Sequence, residues 1–317
     1  MLLGLLSSLV GYWRKLLTAN QDLPFREFAN GRSLTGMGLS SIADRYSVLF
    51  CDVWGVINDG RKLVASALDA LVAYRETGGV VVLITNSPRP SHSVLDHLED
   101  FGMPPSACDG IVTSGDVAME LLKQNASKPM YYVGPEEERE LFADLDIKWC
   151  EPDEAGLVVV TGFFDDVEFP GRAYQDLLED LSRRNLPMIC ANPDIVARQG
   201  NILVYCAGSL AQDYEELGGQ VIYVGKPYEQ IYKIARQRAS MLMGGAEEKC
   251  NSILAIGDSI PTDATGAKTQ GIDFLFIIDG IHARNFGELH EPDLQKVHNK
   301  LETAQIKPVL VSPYLRW

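Results

Sequence analysis

Four polar positions each stand at the end of a different short apolar run. Asp52 follows Val48–Cys51, and Thr85 and Asn86 follow Val80–Ile84. Gly225 and Lys226 follow Val221–Val224, and Gly257, Asp258 and Ser259 follow Ile253–Ile256. Taken singly, an aspartate at a strand end is most often a turn former or a helix cap. Together these positions supply two carboxylates, a hydroxyl and an ammonium. In an open parallel sheet, ligands bind outside the carboxyl ends of the strands, so the four runs predict one convergent site. An acidic chain that receives an anion there must build local positive potential. A lysine, a cation or a helix N-terminus can supply it.

Similar apolar runs recur at Gly79–Ile84, Gly110–Thr113, Met130–Val133, Leu157–Val160, Pro187–Ala191 and Phe274–Ile278. Amphipathic stretches lie between them, among them Ser66–Glu76, Ser91–Phe101, Asp116–Asn125, Glu136–Asp144, Arg172–Arg184, Ser209–Leu217, Tyr228–Met243 and Thr262–Gln270. Short apolar segments alternating with helices predict an α/β fold on a parallel sheet. The chain has 317 residues and 46% apolar composition, enough for one large or two modest domains.

The formal net charge is −15. Such a surface repels a phosphodiester backbone, which argues against nucleic-acid partners. None of the six cysteines forms a C-x-x-C pair, and the five histidines show no ligand spacing. The cysteines therefore read as buried thiols of a reducing, cytoplasmic setting. Residues 1–30 read as an extension. Within it Leu2, Leu5, Leu9, Trp13 and Leu16 recur at helical spacing. That run is too short to span a bilayer. A docking helix, an organelle-targeting peptide and a membrane-surface helix all remain open for it. No later segment reads as transmembrane.

The segments LFCDVWGVINDG, LITNSPR, YVGKPYEQIY and LAIGDSIPTDATGAKTQG resemble, in order, the four motifs of the haloacid dehalogenase (HAD) superfamily. The segments V-T-S-G-D-V-A at 112–118, C-A-N-P-D at 190–194, A-G-S-L at 207–210 and V-G-K-P at 224–227 are similar to the NagD-like subgroup, class IIA. The opening D-V-W-G and the segment G-I-H-A at 280–283 resemble an uncharacterised branch of it. The resemblance implies a Rossmann-like core, 1–126 and 220–317, with a large α/β cap inserted at 127–219. It further implies a Mg2+-dependent hydrolase acting on a small phosphorylated metabolite, and pairing of two copies through the cap.

By the same resemblance Asp52 is the nucleophile, forming an aspartyl-phosphate. Asp52, Asp258 and the backbone carbonyl of Trp54 would hold magnesium, a cation that takes oxygen ligands. Thr85 would bond the transferring phosphoryl oxygens. Lys226 would neutralise charge and hold Asp52, and Asp263 would support the metal site. Asn86, Asn192 and Asp194 would face the substrate, and Arg198 and Tyr205 could line the same face. Cys51, one residue before Asp52, is expected on the opposite face of its strand. Ser259 and Thr262 are expected to cap the helix that follows.

One departure matters most. Phosphatases of this superfamily usually carry an acid/base aspartate two residues after the nucleophile, where this chain has Trp54. An indole N–H only donates and cannot exchange a proton in this way. Three explanations stand open. Another acid, Asp59 or Asp194, substitutes for it. The leaving group needs no protonation, as in carbon–phosphorus or carbon–halogen cleavage. Or the pocket binds phosphate and metal without turnover.

Overall fold

The computed structural model describes residues 37–164, 172–199, 202–245, 252–288 and 291–317. The helix expected within residues 1–30 lies outside the described residues.

Two parallel sheets organise the chain. The larger has six strands: β1 (Val48–Cys51), β2 (Val80–Thr85), β3 (Gly110–Thr113), β10 (Ile253–Gly257), β11 (Asp273–Ile277) and β14 (Leu310–Ser312). Their spatial order is β14-β11-β10-β1-β2-β3. The smaller joins β4 (Met130–Val133), β5 (Leu157–Val160), β6 (Met188–Cys190) and β9 (Val221–Tyr223) in that order. An antiparallel hairpin, β7 (Val196–Gln199) with β8 (Ile202–Tyr205), leaves the second sheet after β6. A two-residue pair, β12 (Gly287–Glu288) and β13 (Glu291–Pro292), completes the strands.

The helices are α1 (Ala65–Glu76), α2 (Ser91–Asp100), α3 (Ser114–Gln124), α4 (Glu136–Glu140), α5 (Arg172–Arg183), α6 (Ala207–Glu216), α7 (Glu229–Leu242), α8 (Thr265–Thr269) and α9 (Leu294–Thr303). α4 is shorter than the stretch expected at Glu136–Asp144. A π-turn, Ile260–Ala264, precedes α8, so the helix expected from Thr262 begins differently. Ser259 stands at its N-cap without a side-chain cap bond, which corrects the expected capping role.

Every residue of β1 is buried, as a strand covered on both faces requires. Alternate side chains enter different cores. Val48 and Phe50 pack with Val82, Ile84, Tyr232 and Ala235 on one face. Leu49 and Cys51 pack with Leu71, Tyr74, Leu83 and Ile256 on the other. The second sheet buries Val158, Val160, Met188 and Cys190 against Leu178, Leu181, Leu210 and Tyr214 of α5 and α6. Its other face, with Met130, Leu157, Val159 and Ile189, packs with Leu122 of α3. That contact ties the two sheets together.

The strand order places the site. From β1 the chain goes outward through β2 and β3 on one side, and β10, β11 and β14 fill the other. The reversal lies between β1 and β10, where doubly wound sheets open a crevice. Cys51 is in register with Ile256, and Asp52 N donates to Ile256 O at 2.9 Å. Asp52 and Asp258 thus leave adjacent strands side by side.

Val221–Tyr223 pairs with β6 in the second sheet, Met188 with Val221 and Cys190 with Tyr223. Lys226 therefore reaches the site from the smaller sheet, and the carboxyl ends of both sheets converge on it.

Candidate active site

The turn after β1 is tight. Gly55 has φ +88°, and a Cβ there would stand 2.0 Å from Asp258 Oδ2. Only glycine combines that backbone with so close an approach. Gly280, just beyond β11, meets the same carboxylate: its Cβ would lie 1.9 Å from Asp258 Oδ2. The following amide, Ile281 N, donates to Asp258 Oδ2 at 2.5 Å. Asp258 is thus gripped from two loops.

Asp52, Asp258 and Asp263 bring carboxylate oxygens within 4.8 Å of one another, and all three are buried. Lys226 Nζ lies among them, 2.5 Å from Asp52 Oδ1 and 2.7 Å from Asp263 Oδ1. Ser259 N donates to Asp263 Oδ2 at 3.1 Å. Burial alone would lower the Lys226 ammonium, but Asp263 and Asp52 overcome that and hold it well above its usual value. Burial, and then the charge of Asp263, push the Asp52 carboxyl upward while Lys226 opposes them. The two directions pull apart: one favours a charged pair, the other a neutral acid. The ammonium in direct contact decides for the charged pair. Three carboxylates against one ammonium leave uncompensated negative charge, and Asp258 carries the consequence. Burial and the Asp263 charge raise its carboxyl to about 7.

The other half of the site hangs on Asn86, at the end of β2. Its Oδ1 accepts from Lys226 N at 2.6 Å. Its Nδ2 donates to Lys226 O at 3.1 Å and to Asp194 Oδ1 at 2.9 Å. Asn192 Oδ1 accepts from Asp194 N at 3.1 Å, turning the chain after β6. Gly225 has φ +111°, and a Cβ there would meet Ser114 Oγ and Asn86 Oδ1 at 2.5 and 2.6 Å. Burial pushes the Asp194 carboxyl up to about 6, with Lys226 and Asn86 acting against it.

These groups open onto a cleft of about 900 Å³ between the two sheets. Asp52, Trp54, Thr85, Asn86, Asn192, Asp194, Lys226 and Asp258 all line it. Asp263 is not among the lining residues and sits behind Lys226. Thr85 is buried, and its Oγ1 accepts from Ser87 N at 3.2 Å. Trp54 is 40% exposed beside the cleft. Asp59 also borders the cleft, but its Oδ1 accepts from Arg61 N and Lys62 N and closes a surface turn. Cys51 is buried, and its burial raises the thiol well above its ordinary value.

The donor set fits magnesium. It offers hard carboxylate oxygens, two of them on adjacent strand ends, with backbone turning beside them at Trp54 and Gly55.

The hairpin β7–β8 brings Val196, Ala197, Arg198 and Val204 into the cleft, and no strand was expected there from the sequence. Arg89 and Glu138 were likewise unmarked. They form an ion pair at 3.7 Å that joins the loop after β2 to α4. The role of Gly280 and Ile281 was legible only as a motif.

A parallel sheet with carboxylates at its switch point and a lysine delivered from an inserted sheet defines a class of hydrolase. A family model for haloacid dehalogenase-like hydrolases matches residues 49–148, and a HAD-hydrolase-like model matches residues 223–315. A haloacid dehalogenase-like hydrolase from Brucella suis 1330 is 38% identical, with a TM-score of 0.77 over 88% of this chain and 98% of that one. The chain belongs to the haloacid dehalogenase-like hydrolase family. A protein described as a possible sugar phosphatase, from Cytophaga hutchinsonii, shares the fold at a TM-score of 0.72. It is 21% identical over 88% of this chain and 97% of that one. NagD from Escherichia coli K-12 shares it at 0.60, with 19% identity over 85% and 96%. No curated protein matches the chain.

Proposed function

We propose that the protein is a magnesium-dependent phosphatase of small phosphorylated metabolites. The supporting observation is the placement of Lys226 Nζ on both Asp52 and Asp263 at the floor of a cleft. A carboxylate presented to a cleft beside a buried ammonium can attack phosphorus while the cation offsets the dianion's charge. The fold shared with a possible sugar phosphatase agrees with this reading.

Asp52, Asp258 and the Trp54 carbonyl would hold the metal, with Asp263 behind them. When bound, magnesium would offset phosphoryl charge and orient the ester. An Asp52 oxygen attacks phosphorus, and the ester oxygen leaves with the bonding pair. Thr85 donates a hydrogen bond to a phosphoryl oxygen. Asn86 fixes the Lys226 backbone, and Asn192 shapes the loop that presents Asp194. Asp194 takes the acid/base role that Trp54 cannot fill. Buried, with its carboxyl raised to about 6, it gives a proton to the leaving oxygen and later accepts one from the hydrolytic water.

The chain would divide into a core, carrying the six-stranded sheet, and a cap that spans β4 to β9. Exposed Leu203, Leu217 and Ile222 on the cap suit pairing with a second copy, which sedimentation tests. The described free cysteines agree with a reducing, cytoplasmic setting. No helix among the described residues is long and apolar enough to cross a membrane. Magnesium-dependent phosphate release, lost in Asp52→Asn, tests the central reading.

A further inference from the structure

The cleft holds several cations, and they differ in how they are compensated. Lys226 contacts Asp52 and Asp263. Arg89 pairs with Glu138. Lys62 is exposed to solvent, which serves it as partner. Arg198 is different. It lies on β7, opposite Leu203 of β8, and is half-buried in the cleft lining. Among the described residues its guanidinium makes no hydrogen bond and no ion pair.

Its surroundings are not neutral. Burial, and then the like charge of Arg284, lower the guanidinium from its ordinary value, while the charges of Asp258 and Asp279 pull the other way. A partly desolvated guanidinium that also feels another arginine's charge carries a cost that an anion relieves. Its planar fork suits two-point bonding to a carboxylate or a phosphate. The attacked phosphoryl group sits at Asp52, with Lys226 to compensate it. Arg198 lines the same cleft from the hairpin, so it faces the remainder of the substrate rather than the reacting group.

We infer that Arg198 receives a second anionic group of the substrate, so that the substrate class is small phosphoesters bearing a carboxylate or a second phosphate. This inference rests on the phosphatase reading for the position of the first phosphoryl group. It makes the hairpin a specificity element whose charge selects substrates.

The test compares three probes of similar length: n-propyl phosphate, 2-carboxyethyl phosphate and propane-1,3-diol bisphosphate. Binding is measured by calorimetry with Mg2+ on full-length Asp52→Asn protein, with and without Arg198→Gln. The two-anion probes are expected to bind more tightly than propyl phosphate, and Arg198→Gln to shrink that advantage about 10- to 100-fold. The stronger of the two identifies the second anion. An advantage that survives Arg198→Gln, or no advantage in either protein, overturns the inference. Turnover of the same probes by wild type separates the two readings. Hydrolysis without Arg198-dependent selectivity overturns this inference alone. Arg198-dependent binding with no hydrolysis overturns the phosphatase reading alone. No binding of any probe together with no turnover of any by wild type overturns both.

Discussion

Asn86 and Lys226 form a closed pair: the asparagine amide accepts from the lysine N–H at 2.6 Å and donates to its carbonyl at 3.1 Å. The two residues come from different sheets, β2 of the larger and the end of β9 in the smaller. The lysine that contacts the Asp52 carboxylate is therefore held by a side chain from the other sheet.

Asn86→Ala removes both bonds and leaves a buried amide and carbonyl unpaired. A loss of about 1–3 kcal/mol in stability is expected from denaturant unfolding. Turnover is expected to slow with it, about tenfold or more, because Lys226 loses its fixed backbone and no longer holds its charge at the reacting group. Unchanged kcat in a folded Asn86→Ala protein would show that the pair does not position the lysine.

Gly280→Ala places a methyl group where Asp258 Oδ2 now stands, 1.9 Å from the ideal Cβ. The carboxylate has to turn away, and its bond from Ile281 N goes with it. The variant is expected to weaken Mg2+ binding by about 10-fold or more by calorimetry, in line with losses when groups supporting a metal ligand are altered. Wild-type affinity would mean that Asp258 is not a ligand or that the loop yields freely.

Much of this was legible in the sequence because strand ends are legible. Asp52, Thr85, Lys226 and Asp258 each follow a short apolar run, and parallel sheets gather ligands at that end. The sequence could not say which sheet a run joins. Val221–Tyr223 reads equally well in either, and only its pairing with Met188–Cys190 places it in the second. Arg198 could be named as a candidate for the substrate face, but the hairpin that carries it could not be read, because it is short and its partner strand holds Leu203 and Tyr205 rather than a clear alternation. The grip of Ile281 on Asp258 depends on a backbone N–H, which has no residue-type signature.

Protons and a divalent cation would compete for the carboxylate cluster of Asp52, Asp258 and Asp263. The Asp258 carboxyl is raised to about 7 in the folded protein, well above an unfolded aspartate near about 3.9. A raised carboxyl means the native state holds its proton more tightly. Its stabilising contribution is complete below about pH 4 and is lost as pH rises through about 7. A metal bound there would replace that proton, so Mg2+ is expected to raise the melting temperature more at about pH 8 than at about pH 5.5, at equal concentration. An equal or larger shift at the lower pH would contradict cation binding at these carboxylates.

Asp194, raised to about 6, has to be protonated to serve a leaving oxygen. On an alkyl phosphate, kcat/KM should fall as pH rises above about 6. In Asp194→Asn that limb should vanish and the rate drop by about 10²–10⁴-fold. p-Nitrophenyl phosphate, whose leaving group needs no proton, should be affected far less. Equal losses on both esters would assign Asp194 to positioning rather than proton transfer.

Phosphate release from p-nitrophenyl phosphate, with and without Mg2+, tests the nucleophile most directly when wild type, Asp52→Asn and Trp54→Asp are run side by side. Wild type is expected to release phosphate only with Mg2+. Asp52→Asn is expected to lose that release while keeping its fold. An inert wild type beside an active Trp54→Asp would show instead an intact phosphate site whose hydrolytic chemistry has been lost at Trp54. Release by Asp52→Asn at the wild-type rate would contradict Asp52 as nucleophile.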